Sequence, residues 1–200
     1  MIKRVLYIII VCGLFTGLVM LMGFSIRSNM TKPSAGLEVR VVSSSGNYFI
    51  DENYLRNKLK EAFDTIKGKS IDPELLRKVN EEVNETPFVQ SADVYRTING
   101  ELRVNARLRD PLLRIVNRSN QSFYIDTEGN MFPLSDYYTA RVMLSTGHIP
   151  AEYQAGRNIA FNSEVKEKDN AQTIMEELYE IALFIHGDSF WRAFTDHIVV

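Results

Sequence analysis

From Glu101 to Arg109 the chain alternates without a fault. Leu102, Val104, Ala106 and Leu108 fall on one side, and Glu101, Arg103, Asn105, Arg107 and Arg109 on the other. An apolar repeat of two residues marks a half-buried strand with one solvated face. Ahead of it, Ala92 and Val94 share a face and predict a partner strand. Asn99-Gly100 between the two predicts a hairpin closed by a type I′ turn, which needs positive φ at both central residues. Pro111, with no amide hydrogen for the ladder, is expected to end the second strand.

Leu37-Glu38-Val39-Arg40-Val41-Val42 alternates too and reads as an earlier strand. Asp51 then stands where a helix cap belongs, and Leu55, Leu59, Ala62, Phe63 and Ile66 recur at three-to-four spacing, predicting an amphipathic helix broken at Gly68-Lys69-Ser70. Asp72-Pro73-Glu74 marks a second helix start: capping carboxylate, proline at the first helical position, acid in the first turn. Leu75, Leu76, Val79 and Val83 are its apolar stripe. Residues 37–111 therefore read β-α-α-β-β, an α+β module with two helices on one sheet face.

Beyond Pro111 the pattern changes to short strands over Leu113–Val116, Ser122–Ile125, Asn130–Leu134 and Arg141–Ser145, with Asp126-Thr127-Glu128-Gly129 as a turn. Asn158–Phe161 reads as a short edge strand. A third helix, capped by Asp169 or Asn170, should bury Ile174, Leu178, Ile181, Ala182 and Ile185 and close on Gly187 as a C′ residue. Phe190, Trp191 and Phe194 are expected to pack below it, and His197–Val200 starts another strand. Residues 112–200 thus read as a mostly antiparallel β domain with one helix. The sequence stops in mid-strand, which is unusual for a complete domain.

The amino terminus adds a membrane. Val5 to Phe24 is twenty residues without a charge. A helix of that length spans about 30 Å, the thickness of a bilayer's hydrocarbon core. The apolar core of a cleaved signal peptide is shorter, about 7–15 residues. The expectation is a tail over residues 1–4, an uncleaved transmembrane helix over 5–26 held in membrane lipid, and a polar linker over 27–36. Lys3 and Arg4 favour a cytoplasmic amino end with the bulk of the chain outside. Gly13 and Gly17 have the small-xxx-small spacing through which two membrane helices approach closely.

Composition narrows the chemistry. With 23 basic and 25 acidic residues the chain lacks the basic excess of a nucleic-acid-binding protein. The single cysteine, Cys12, lies in the apolar run, which leaves the outer portion no disulfide, thiolate metal site or cysteine nucleophile. His148, His186 and His197 have neither zinc spacing nor a nucleophile elbow beside them. Asp126 and Glu128 fit turn formation. The sequence predicts no catalytic site, metal or cofactor. Arg103, Arg107 and Arg109, with Arg96 on the neighbouring strand, form a basic stripe. It reads either as a solvated face that discourages aggregation or as a landing strip for an acidic partner segment.

Three segments carry a resemblance: Pro87-Phe88-Val89 with Ala92 and Val94; Leu102-x-Val104 with Arg109-x-Pro111; and Tyr124-Ile125-Asp126-x-x-Gly129-x-Met131-Phe132. In this order behind an apolar span, they resemble the bacterial cell-division FtsQ/DivIB family, in which a POTRA domain and a β domain stand on a membrane anchor. The resemblance implies a non-enzymatic, single-pass scaffold of the inner (plasma) membrane at the division septum. Such a scaffold links early and late division proteins through strand edges, and the partners implied are FtsB, FtsL and the septal wall-synthesis proteins. The family usually carries further strands after the helix, the last of which is implicated in docking FtsB; here the chain stops at Val200, so it is either truncated or has a short docking edge. Leu108-Arg109 also stands where the family tends to have Glu-Arg, so no partner contacts carry over. The other reading is a POTRA chaperone module feeding outer-membrane or secreted chains to a pore, although such proteins usually carry several POTRA repeats and a barrel.

Overall fold

The computed structural model describes residues 4, 7, 10–21, 34–64, 68, 70–160 and 170–200. Residues 10–21 are helical and exposed. Much of the expected span, including Val5, Leu6, Ile8, Ile9 and residues 22–26, lies outside the described residues, as does Ile66. Among the described residues no helix is long and apolar enough to cross a membrane.

The first module runs β1 (Leu37–Val42), α1 (Glu52–Phe63), α2 (Pro73–Asn84), β2 (Val89–Arg96) and β3 (Leu102–Leu108). Both helix starts follow from their caps. The Asp51 carboxylate accepts the Tyr54 amide hydrogen at 2.7 Å and that of Asp72 accepts the Leu75 amide at 2.7 Å, each satisfying a donor that the first turn leaves orphaned. Helix α1 stops earlier than its spacing suggests, because Asp64 turns to φ 56 directly after Phe63. Leu55, Leu59, Val79 and Val83 are fully buried against the inner face of a sheet ordered β1-β3-β2. β3 sits in the middle, parallel to β1 and antiparallel to β2. The hairpin is present but its turn is not type I′. Only Gly100 has positive φ (83), the Gly100 amide bonds to the Thr97 carbonyl, and that of Thr97 to Glu101. This is a three-residue loop with the glycine in the bulge position.

Pro111 does more than end a strand: it opens the next one, a position where its missing donor is tolerated. β4 (Pro111–Val116), β5 (Ser122–Asp126), β6 (Met131–Pro133), β7 (Met143–Thr146) and β8 (His197–Val199) form a sheet ordered β6-β5-β4-β7-β8. The expected mostly antiparallel domain is in fact mixed, since β7 is parallel to both β4 and β8. The loop before β7 and the helix before β8 supply the crossovers that parallel pairing needs. α3 (Asn170–Gly187) covers one face, burying Gln172, Met175, Leu178 and Ala182. Ile181 is 45 % exposed, a correction to the predicted stripe. Gly187 is the last helical residue and lacks positive φ, because Asp188 at once caps α4 (Ser189–Phe194) by accepting the Phe190 and Trp191 amides. Asn158 makes a single bridge to Asn130 where a strand was expected.

The two sheets share a core. Phe49, from the loop before α1, is wholly buried and its ring meets those of Phe88, Tyr124, Phe132 and Tyr138 at centroid separations of 5.3–6.0 Å. The buried Tyr124 hydroxyl accepts the Ala140 amide at 3.1 Å, so the aromatic seam holds no orphaned phenol. Asp126, 1 % exposed, locks the seam: it accepts the Glu128 and Asn130 amides at 2.9 and 2.8 Å and the Arg109 guanidinium at 2.7 Å.

Candidate functional site

The four arginines of the expected stripe do different things. On the open face of the first sheet the register sets Glu38, Arg103 and Tyr95 in one row, Arg40, Asn105 and Asp93 in the next, and Val42, Arg107 and Ser91 in a third. Arg103 donates through Nε and Nη2 to Glu38 Oε2 at 2.8 and 2.5 Å, and Arg40 approaches the same carboxylate at 3.7 Å. Hydrogen bonds from Arg103 and Asn105 hold the Tyr95 phenol below its usual value, while those to Tyr95 and Glu38 push Arg103 up. Arg109 leaves this face, donating to the Pro87 carbonyl at 2.9 Å and to Asp126. Arg107 remains exposed and lines a shallow groove of about 370 Å³ with Ser91 and Glu128. Arg96 lies at the far end of β2. The face is therefore mixed in charge rather than a basic stripe, because β1 contributes Glu38 and β2 contributes Asp93.

Gly13 and Gly17 stand on the helical residues 10–21, and a Cβ added at either meets nothing within 4 Å. Among the described residues nothing is packed on them.

Sheet edges are the remaining candidates. The edge of β2 is partly closed: the Ala92 amide donates to Asn84 Oδ1 at 3.0 Å, so the end of α2 occupies a ladder donor. The edge of β6 is closed by the strap around Asn158, with the Met131 amide donating to the Arg157 carbonyl and that of Ile159 to Gly129. β8 is paired on one side only, to β7. Its register is fixed at Gly147 (φ 123), where the Val200 carbonyl accepts the His148 amide at 2.8 Å and an added Cβ would strike that carbonyl. In a parallel ladder alternate residues face the neighbour, so with Asp196 and Val200 bonded to β7 the main-chain groups of His197 and Val199 point to the open side. Val199 is 73 % exposed.

Two family models match this chain, the POTRA-like domain over residues 33–107 and the domain described as FtsQ/DivIB, C-terminal related, over residues 110–200. Together the two matches support the FtsQ/DivIB family. No curated protein matches it significantly. These domains suggest a role in cell division, and the FtsQ/DivIB-related match contains the open strand β8.

His148, His186 and His197 stand on a loop, on α3 and on β8. The His197 ring bonds to Thr146 Oγ1 at 2.7 Å, His148 serves through its backbone, and Asp188 is spent on the cap of α4. Among the described residues no group of three or more His, Cys, Asp and Glu side chains could hold a metal ion. Sequence reasoning missed the exposed apolar side chains just ahead of β8 in the chain. Phe190, Trp191 and Phe194 were expected to pack below α3 but are exposed, Phe194 by 73 %, and Phe184 is exposed as well. The available signal was the shortness of Ser189–Phe194, whose six residues also include Ser189 and Arg192.

Proposed function

We propose that this chain is a single-pass membrane scaffold of the bacterial division machinery. Its amino-terminal run anchors it in the inner membrane, and the folded body stands outside the cytoplasm at the division site, linking early and late division proteins. The observation that carries this reading is the unpaired outer side of β8, which follows directly in the chain on the exposed aromatic side chains of α4. An extended partner segment satisfies the free N–H and C=O groups by adding a strand, and the apolar rim supplies the burial that main-chain bonds alone lack. FtsB and FtsL, with the septal wall-synthesis proteins, are the partners proposed from family membership.

A fluorescent fusion tests location: the scaffold gathers at the division plane, whereas an even distribution around the envelope favours a POTRA chaperone role. Strand addition is tested by Val199→Pro, which removes an outward donor on β8. Full chain captured from detergent-solubilised membranes should lose FtsB on this change while its circular dichroism stays the same. Undiminished recovery of FtsB would rule out β8 as the docking edge.

A further inference from the structure

A second surface lies away from the open edge and spans both modules. The carboxy end of α3, the helix α4 and the starts of β4 and β7 line a groove of about 520 Å³ together with Ser45 and Asn47 of the first module. Its floor is apolar, made by Leu112, Val142, Met143, Ala182 and Ile185. Two arginines line it from different elements: Arg141 just before β7, and Arg192 on α4. Neither Arg141 nor Arg192 makes a side-chain hydrogen bond or an ion pair with any described residue. The one carboxylate on the rim is Asp196.

That combination differs from the paired cations elsewhere among the described residues. Arg103 and Arg109 have their own carboxylates, and Lys58 is tied to Glu82 at 3.0 Å. Here two guanidinium groups face an apolar trough with their hydrogen-bonding capacity unspent. Guanidinium groups hold carboxylates through paired, directional hydrogen bonds, and a dry floor beside them strengthens the attraction. We infer that this groove binds a short acidic segment of another protein, with apolar side chains set on Leu112, Met143 and Ile185 and carboxylates held by Arg141 and Arg192. The inference is independent of strand addition at β8, since it requires side-chain contacts at both walls and no main-chain ladder.

The test uses the full chain in mild detergent and two fluorescein-labelled decapeptides of alternating residues, one of Glu and Leu and one of Lys and Leu, read by fluorescence anisotropy. The Glu-Leu peptide should bind, and weaken as salt rises. The double substitution Arg141→Glu with Arg192→Glu should weaken it at least tenfold, while Arg107→Glu on the opposite sheet leaves it unchanged. Circular dichroism of the double variant should match the parent, since both side chains are exposed. Equal binding of the Lys-Leu peptide, equal binding to the double variant, or no binding at millimolar peptide would each overturn the site.

Discussion

Removing the guanidinium from the seam with Arg109→Met tests whether the two sheets are clamped or merely adjacent. The Arg109 side chain is 17 % exposed and that of Asp126 2 %, so this pair is far from a surface ion pair. Stripping one member from a buried pair typically costs about 3–5 kcal/mol, because the other charge is left behind without a counter-charge. Asp126 would keep three donors, from the Glu128 amide and from the Asn130 amide and side chain. The expected cost is therefore at the low end, about 3 kcal/mol. Asp126→Asn leaves an arginine with some access to water and should cost less, about 2 kcal/mol, near the penalty for a lost hydrogen bond to a charged group. The double variant should fall short of the sum by at least ~1 kcal/mol, the signature of a direct interaction. Urea unfolding of the full chain, followed by far-ultraviolet circular dichroism, measures all three. A loss below about 0.5 kcal/mol for Arg109→Met, typical of an exposed pair, or strict additivity of the two single changes, would refute the clamp.

Other consequences are open to direct measurement. Phe49→Ala should cost about 3–5 kcal/mol in the same urea assay, the usual range for deleting a buried aromatic. Gly147→Ala forces a Cβ against the Val200 carbonyl at positive φ, so it should free the β8 register and speed proteolysis of the carboxy-terminal segment while leaving that of the first module unchanged. Burial raises the Tyr179 and Tyr153 phenols, and bonding to Arg103 lowers that of Tyr95. Alkaline titration of phenolate absorbance should therefore show an early step absent from Tyr95→Phe and a late step reduced in Tyr179→Phe. Because the folded value of Tyr179 lies above the unfolded one, its contribution is complete below the ordinary phenol range and disappears as pH climbs through the raised value, so Tyr179→Phe should flatten the alkaline loss of stability.

What the sequence disclosed and what it hid follow from range. Alternation over Leu102–Leu108 and the caps at Asp51 and Asp72 are local, and each element appeared where its own residues placed it. The turn at Thr97–Gly100 depends on how two strands twist against each other, and Asn99-Gly100 alone does not fix whether one or both residues take positive φ. Ile181 lost its predicted place in the core to Met175 because periodicity gives the stripe but not the angle at which a helix lies on a sheet. Parallel pairing of β7 with β4 joins residues about thirty positions apart and leaves no mark in either strand. The arginines misled for a related reason. Which of them is neutralised depends on the carboxylates that Glu38 and Asp126 bring from distant elements.

The aromatic seam also constrains engineering and ancestry. A chimera cut between residues 108 and 111, at the obvious linker, would separate Phe49 and Phe88 from Tyr124 and Phe132, which form one nucleus. Grafting either half onto a relative therefore means transplanting both banks of that nucleus together, and substitutions on one bank should be tolerated only alongside compensating changes on the other.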